Sequence, residues 1–232
     1  MADDGLDSKF DQSNLNTVKR NKDRASYDKQ QIADIFKQAK ICHVSFIHDF
    51  LPQCIPMIAA VEETDEGELF VYFHGYPRAR FIQSLLESGT PMTATATILD
   101  GYVLALSVFH HSMNYRSAVL YGVSMPFDDN DTEAKMRALK LVVDSTTPGR
   151  WENARQPNDA ELKGTGIIRM KVDTGSAKIR TGGPKDDRKD IEDTKLVSET
   201  WTGVVPISAV AGEPKPTNYA PASIPEHIRN LR

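Results

Sequence analysis

The sequence predicts a mainly β protein, a β-barrel with peripheral helices. Short apolar segments of strand length recur from residue 41 onward, and brief turn-like segments separate them. No long helical crossovers lie between the first of these segments, so neighbouring strands are expected to be antiparallel. Apolar residues make up 40% of the 232 residues and charged residues 26%, which is the composition of a globular chain.

The first expected element is a helix over residues 28–40. Asp28 is a residue type that caps helices, and Gln31 follows it at the spacing of a capping box. The apolar residues then repeat at the spacing of one helical face, at Ile32, Ile35, Phe36 and Ala39.

A meander of short strands is expected next. Its strands and turns alternate in this order: strand Ile41–His48, turn 50–53, strand Cys54–Val61, turn 63–67, strand Glu68–His74. Residues 77–88 return to helical spacing, and Gly89 follows them as the usual glycine beyond a helix end.

The middle of the chain is expected to form a hairpin. Met92–Leu99 alternates threonine with alanine over much of its length, and Tyr102–Phe109 is a second apolar segment. Asp100 and Gly101 between them form a strong signal for a hairpin turn. A further strand is expected over Tyr115–Met125.

The rest of the chain mixes helices with the last strands. A helix is expected over residues 131–145, with Asn130 and Glu133 as its capping box, and Asn158 with Glu161 caps a short helix. The remaining elements are listed in order: strand Ile167–Val172, strand Ala177–Arg180, a long exposed loop over 181–197, strand Trp201–Ile207.

These elements divide the chain into three parts. Residues 1–26 are polar and aperiodic and are expected to form a flexible N-terminal arm, while residues 27–210 form the barrel domain. Residues 211–232 form a Pro-rich C-terminal tail that is expected to pack little by itself.

Composition excludes several classes of function. The net charge of −4 argues against a dedicated nucleic-acid-binding protein. Two cysteines, Cys42 and Cys54, are typical of a reducing compartment, and no apolar run is long enough for a transmembrane helix. Met1–Asp11 has no apolar core of a secretory signal, so a cytoplasmic protein without membrane contact is expected. No pair of histidines has ligand spacing, so no metal site is predicted.

Common catalytic signatures are missing from the sequence. It contains no GxGxxG, Walker A, GxSxG, HExxH or CxxC motif. A Rossmann enzyme, a P-loop NTPase, an α/β-hydrolase and a zinc hydrolase are therefore disfavoured.

One segment combines a strand, a turn and two arginines. The sequence LFVYFHGYPRAR at 69–80 runs from an apolar strand through Gly75 into an expected helix start, with Arg78 and Arg80 beside it. Free N–H groups at a helix start and arginine side chains both favour a phosphate. The alternative is that both arginines are ordinary surface residues, and spacing alone does not decide between the two readings.

Two further segments carry polar or aromatic residues at the ends of strands. In FHHSMNYRSAVLYG at 109–122, polar residues cluster before an apolar strand, as expected at the rim of a barrel. His110 and His111 would point to opposite faces of a strand and cannot bind one ion together. Trp201 opens WTGVVP at 201–206, where an isolated tryptophan is either a packing anchor or a ligand contact.

Together these segments resemble a known family. The motifs are YFHG at 72–75, NYRS at 114–117, PGR at 148–150, SAKIR at 176–180 and WTGVVP at 201–206. Their order and spacing resemble the pyridoxamine 5′-phosphate oxidase-like FMN-binding split barrels. The similarity is greatest to the branch of nitroimidazole-resistance (Nim) and flavin-nucleotide-binding proteins, and it covers about residues 24–210.

The resemblance implies a cofactor, a partner and a set of site residues. FMN is the implied cofactor, bound at the interface of a homodimer. The residues carried over for FMN binding are Ile55, Pro56 and Met57 along the ring, His74 and Gly75 near the ribityl chain, Arg78 and Arg80 at the phosphate, Arg116 and Ser117 across the dimer, and Trp201 near the ring. His74 is also the candidate catalytic residue, as a proton donor beside the flavin.

Three functions are open at this point. The first is an FMN-dependent oxidoreductase acting on a small organic substrate. The second is a non-catalytic module that binds or stores a flavin or haem, because the fold tolerates loss of activity. The third is pyridoxamine phosphate oxidation itself, which the Nim-like motifs favour least.

Overall fold

The computed structural model describes residues 8–128 and 130–231. Nine strands of this part form an antiparallel sheet with helices around it, so the predicted mainly β class is confirmed. The strands are β1 (Ala25–Ser26), β2 (Ile41–His48), β3 (Leu51–Ile58), β4 (Ala60–Glu63), β5 (Leu69–Gly75), β6 (Pro91–Leu104), β7 (Ser112–Pro126), β8 (Gly166–Arg180) and β9 (Gly203–Pro206). The helices are α1 (Lys29–Ala39), α2 (Arg80–Ser84), α3 (Thr132–Thr146), α4 (Asp159–Lys163), α5 (Arg188–Glu192), α6 (Thr194–Glu199) and α7 (Glu226–Arg229).

The sheet curls without closing. Its strand order is β3-β2-β6-β7-β8-β5-β4, while β1 pairs with β8 and β9 pairs with β6. Strand β3, at one end of this order, comes within 8 Å of β5 near the other end, measured between Cα atoms. The split-barrel architecture follows, with an unpaired seam instead of a continuous ring among the described residues.

The β2–β3 hairpin differs from the sequence prediction. Its turn consists of Asp49 and Phe50, both with positive φ (49° and 61°), and β3 begins directly at Leu51. A two-residue loop with positive φ at both positions is the geometry that suits a tight hairpin. The predicted turn at 50–53 was wrong because Pro52 resembles a turn residue, whereas proline also fits an edge strand such as β3.

The predicted hairpin turn at Asp100-Gly101 is also wrong. Strand β6 continues through both residues, and the register shifts by a bulge between Leu99 and Gly101. Strand β9 pairs with β6 at this point, and a Cβ on Gly101 would lie 2.8 Å from the Val205 carbonyl oxygen. Glycine is therefore needed for the close approach of β9 and not for a turn.

Strand β8 replaces two predicted strands. It runs without interruption for 15 residues, and Asp173 is the extra residue of a bulge opposite Tyr121 and Gly122. The Asp-Thr-Gly sequence at 173–175 is typical of a turn and therefore predicts a boundary between two strands. The long partner β7 holds it in the sheet on both sides of the bulge, so tertiary pairing overrides the local signal.

Two of the predicted helix caps are confirmed, whereas one cap and the lengths of some helices differ from the prediction. Asp28 caps α1 by accepting from the Gln31 amide at 2.8 Å, and Asn158 with Glu161 forms the predicted capping box of α4. The cap of α3 is Asp131 and not Asn130. Helix α2 is shorter than the expected 77–88 helix, and the expected loop at 181–197 contains α5 and α6.

The main core lies between α1 and the inner face of the sheet. Ile32, Ile35 and Phe36 of α1 are buried there. Three aromatic rings extend this core to the start of the candidate site: Phe81 of α2 contacts Phe46 edge-on at 5.6 Å and Phe73 of β5 at 5.9 Å. A second, smaller core lies between β5 and α3 and contains Phe70, Tyr72, Ala138 and Val142.

The N-terminal end of the described chain contacts the barrel. Phe10 joins the main core, and the Asn16 amide donates to Thr174 Oγ1 at 2.6 Å and to the Gly175 carbonyl at 3.2 Å. Residues 1–7 of the predicted arm lie outside the described residues, and the three-part boundaries stay a prediction. At the other end, residues 207–225 have no helix or strand before α7. None of the helices in residues 8–128 and 130–231 is long and apolar enough to span a membrane.

Candidate functional site

His74 lies at the end of β5, where it pairs with Ile167 of β8. It shares a face of the strand with Phe70 and Tyr72, which line the second core, while Phe73 points into the main core. The side chain is half-buried, and its Nδ1 atom is buried without a hydrogen-bond partner among the described residues. Because a buried ring nitrogen normally has a partner, this atom is available to a ligand.

Burial also determines the charge of this histidine. Desolvation lowers the pKa of His74 below its ordinary value of 6.5. The ring is therefore neutral at pH 7. A neutral imidazole offers one nitrogen as donor and the other as acceptor, and it is the form that binds metals.

The lowered pKa of His74 predicts a loss of stability in mild acid. Below pH 6.5 the unfolded chain takes up a proton on this ring that the folded chain does not yet bind. The contribution of His74 to the free energy of unfolding is thus complete above pH 6.5 and decreases as the pH falls through the folded pKa. NMR titration of the ring protons, assigned with His74→Gln, measures that pKa. A value at or above 6.5 would contradict the prediction.

The two predicted phosphate-binding arginines lie beside α2. Both Arg78 and Arg80 are exposed, and neither forms an ion pair within the described ranges. Helix α2 has only five residues and no side-chain cap, so the arginines and not a helix end would supply the attraction for an anion. The assignment of these two residues to a phosphate stays a prediction.

The predicted ring contacts on β3 lie on both faces of that strand. Ile55 and Met57 point inward and pack against the main core, whereas Pro56 is exposed on the outer face. Since β3 is the last strand of the sheet order, its outer backbone edge is not paired with another strand. A ligand along this edge would meet backbone groups, and Pro56 could offer only a carbonyl acceptor.

Arg116 and Ser117 do not face one ligand together. The Arg116 guanidinium binds the Asp100 carboxylate through Nε at 2.9 Å and Nη2 at 2.7 Å, and its Nη1 donates to Gln38. These bonds to Asp100 raise the pKa of Arg116. Ser117 projects from the opposite face of β7 and donates to the Lys178 carbonyl at 3.1 Å. Of the two, Ser117 is on the outer face.

Trp201 lies beyond α6, at the far end of β6. Its side chain is 65% exposed, and its ring covers Gly203, where a Cβ would lie 2.8 Å from the ring. Gly203 pairs with Leu104, the last residue of β6. Trp201 could therefore be covered by a ligand or by another protein surface.

Apart from the residues of β3, the predicted site residues form two groups at opposite ends of the long strands. His74 pairs with the beginning of β8, which in turn pairs with the end of β7 at Met125 and Pro126. Ser117 lies near the beginning of β7. At about 3.3 Å per residue, the distance from Met125 to Ser117 along the strand is about 25 Å. A single subunit therefore does not bring the two groups together along this sheet.

The predicted site residues do not include a set of basic residues near Ser117. Lys178 pairs with Ser117 across β7 and β8, Arg180 pairs with Tyr115, and Arg24 lies close enough to lower the pKa of Arg180. The SAKIR motif contained Lys178 and Arg180, but nothing in the sequence showed that the N-terminal segment would bring Arg24 to them.

Comparison with known proteins begins with the family. The sequence model of the pyridoxamine 5′-phosphate oxidase family matches residues 28–179, well over half of the chain. The chain belongs to the pyridoxamine 5′-phosphate oxidase family. The resemblance found in the motifs is thereby confirmed, and the matched range contains β2 to β8 almost completely. A search of curated proteins finds no significant match.

Several solved structures are similar to this chain. Flavocytochrome Anf3 from Azotobacter vinelandii is 29% identical, with a TM-score of 0.80 over 95% of this chain and 97% of its own. The FAD and heme binding protein from Mycobacterium smegmatis is 27% identical, with a TM-score of 0.77 over 90% and 97%. A proposed 5-nitroimidazole antibiotic resistance protein from Bacteroides thetaiotaomicron is 24% identical and covers 67% of this chain and 86% of its own, with a TM-score of 0.54.

The coverage separates these relatives. The first two align with nearly the whole chain, whereas the third leaves about a third of it unmatched. The likeness to the third structure extends to the fold alone. The similarity to the first two structures therefore extends to the segments outside the central barrel.

Proposed function

We propose that this protein binds a flavin nucleotide between two copies of the chain and works as a flavin-dependent oxidoreductase. The observation that carries the proposal is the end-to-end similarity to two structures whose names include a flavocytochrome and an FAD-binding protein. FMN is the cofactor expected from the motifs, and FAD is the one named for a relative. Both contain the same ring and first phosphate, so the same residues serve either cofactor.

The separation of the two residue groups supports a dimeric site. His74, Arg78 and Arg80 lie at one end of β7, and Ser117 and Trp201 lie at the other. In a twofold dimer whose partner lies antiparallel on the sheet, the His74 end of each subunit lies next to the Ser117 end of the other. Two equivalent flavin sites per dimer follow from this arrangement.

The outer face of the sheet offers the surface for such a partner. Ile41 and Ile58 pair across β2 and β3 and are 53% and 37% exposed. Tyr102 forms a second exposed apolar row with Met113 of β7 and Val205 of β9. Exposed apolar side chains that neighbour one another across paired strands are typical of an interface. Oxidation of pyridoxamine phosphate stays the least favoured activity.

The residues of the chain have separable tasks in this proposal. Arg78 and Arg80 attract the phosphate, the outer edge of β3 contacts the polar rim of the ring, and Trp201 shields the ring from water. His74, neutral at pH 7, offers Nδ1 to a ligand as a hydrogen-bond donor or acceptor according to its tautomer, and its lowered pKa suits it to accept a proton and not to donate one. A bound flavin supplies the transfer of electrons or hydride, and the protein supplies position and electrostatics.

Haem is a second candidate ligand because of two specific observations. Both near full-length relatives carry a flavocytochrome or haem-binding name. Two histidines of this chain also have buried ring nitrogens without a partner in the described part, at His74 Nδ1 and His227 Nε2. A neutral imidazole nitrogen is a suitable axial ligand for haem iron, so these residues fit the group. They would bind the iron or orient a ring near it.

Absorbance spectroscopy of the purified chain tests both ligands. We expect bands at ~370 and ~450 nm after FMN or FAD is added and the protein is desalted, and we expect the protein to elute as a dimer. NAD(P)H should then be oxidised in the presence of a small organic acceptor. A Soret band after addition of haem, lost in His74→Ala or His227→Ala but kept in the exposed-residue control His111→Ala, would support the haem candidate.

Other results have defined meanings. A colourless protein after flavin addition would overturn the flavin proposal. A bound flavin that no acceptor can reoxidise would leave the non-catalytic binding or storage module. Chromatography of the released cofactor distinguishes FMN from FAD, and formation of pyridoxal phosphate from pyridoxamine phosphate would restore the least favoured activity.

A further inference from the structure

Arg180 is a buried arginine without an acidic partner. Its residue surface is only 5% exposed. The guanidinium donates to neutral oxygens: Asn114 Oδ1, the Gly183 carbonyl at 3.2 Å and, at the longer distance of 3.4 Å, the Gly182 carbonyl. In residues 8–128 and 130–231, no carboxylate forms an ion pair with it. A buried charge normally has a counter-charge, so the positive charge of Arg180 is uncompensated within the described chain.

Two more cations surround this arginine. Lys178 projects from the same face of β8 two residues earlier, and Arg24 approaches from the segment before β1. Repulsion by Arg24, after desolvation, lowers the pKa of Arg180. Neither Lys178 nor Arg24 has an ion pair with a described residue.

Several other basic residues of the chain have acidic partners. Arg116 binds Asp100, Arg155 binds Glu161 at 2.7 Å, and Lys171 binds Glu68 at 2.6 Å. A chain with a net charge of −4 has ample acidic residues to neutralise three neighbouring cations. Its folded structure nevertheless leaves Arg24, Lys178 and Arg180, here called the basic cluster, without one.

We propose that the basic cluster binds a phosphate group of an anionic ligand. This inference rests on the proposed function in one respect, because it identifies that ligand as the flavin nucleotide. Arginine forks and a lysine are the side chains that bind phosphate oxygens, and the binding becomes stronger in a partly desolvated position. The phosphate supplies the counter-charge that the chain lacks.

The place of the basic cluster agrees with this ligand. Lys178 is the cross-strand partner of Ser117, and Tyr115 is the partner of Arg180. The cluster is thus at the Ser117 end of the sheet, away from Arg78 and Arg80. In the proposed dimer each flavin has basic residues from both subunits near it, which matches a cofactor with two phosphates such as FAD better than one with a single phosphate.

The test compares flavins with no phosphate, one phosphate, and a pyrophosphate joined to adenosine. Kd values for riboflavin, FMN and FAD are measured with the full chain and with the double variant Arg24→Gln/Lys178→Gln. Neither of these side chains makes a hydrogen bond or ion pair within the described structure, so the fold should be retained. The matched control is Arg137→Gln/Lys163→Gln, which removes the same charge from exposed positions of α3 and α4.

We expect Kd for FAD to rise about 10- to 100-fold in the cluster variant and that for riboflavin to change less than about twofold. The control should leave all three unchanged. The inference would be overturned if the Kd for riboflavin rose as much as that for FAD. It would also be overturned if the Kd rose for no phosphate-bearing ligand, pyrophosphate included. Arg180→Lys, which keeps the charge but removes the fork, should give a smaller rise than Arg180→Gln.

A second measurement separates this inference from the proposed function. Inorganic pyrophosphate should raise the Tm of flavin-free protein, and the cluster variant should abolish the rise. If the protein binds no flavin but pyrophosphate still stabilises it through the cluster, the proposed function fails and the phosphate site stands. If the cluster variant instead loses the stabilisation by pyrophosphate and keeps the Kd for FAD, the cluster binds the phosphate of a ligand other than the flavin.

Discussion

Phe73→Ala is expected to lower the free energy of unfolding by about 3–5 kcal/mol. Phe73 is completely buried in the main core and contacts Phe81 edge-on at 5.9 Å. Truncation leaves a cavity at the point where β5 and α2 meet, because the surrounding backbone belongs to paired strands and can close only partly. The same contact positions the beginning of α2, so flavin affinity should fall as well.

Thermal unfolding at fixed protein concentration measures this effect. For a chain of this size the expected decrease in Tm is about 6–20 °C. The control is Phe109→Ala, in a side chain that is 85% exposed, with an expected change within about 0.5 kcal/mol. Similar Tm values for both variants would show that the aromatic contact does not hold this part of the barrel together.

Gly122→Ala is expected to cost at least about 3 kcal/mol, although it adds only one methyl group. A Cβ at this position would lie 2.0 Å from the Lys171 carbonyl oxygen and 3.1 Å from the Val172 Cα. Both atoms are backbone of the neighbouring strand, so β8 must move before the methyl group fits. The site is the bulge between β7 and β8, where the register shifts beside Asp173.

Urea unfolding compares Gly122→Ala with Gly183→Ala. The second substitution meets nothing within 4 Å and should change stability little. A variant at position 122 that retains the stability of the parent would mean that the strands can separate at the bulge at little cost. We expect instead a strongly reduced midpoint or failure to accumulate as folded protein.

Local signals were sufficient for much of the architecture. The spacing of Ile32, Ile35 and Phe36 together with the cap at Asp28 predicts α1, and the alternation in residues 41–48 gives the bounds of β2. These elements are determined by their own residues. Strand β6 is different, because whether Asp100-Gly101 makes a turn or a bulge depends on β9, which lies a hundred residues further along the chain.

The candidate site shows the same division. Residue types and motifs indicate His74 and the arginines after it, and the alternation of a strand already implies that Arg116 and Ser117 face apart. The distance between the His74 end and the Ser117 end depends on which strands pair, in which register. The repulsion that acts on Arg180 depends on Arg24, whose approach no local pattern encodes.

The prolines of β3 have a consequence for the behaviour of the protein at high concentration. An edge strand with a full set of backbone donors can recruit a strand from another molecule and start an aggregate. Pro52 and Pro56 are four residues apart in β3, the terminal strand of the sheet order, and neither has an N–H group. A strand arriving at this edge finds no donor at either position. The seam of the split barrel can thus stay accessible to a small molecule and yet be a poor edge for pairing with a strand of another polypeptide.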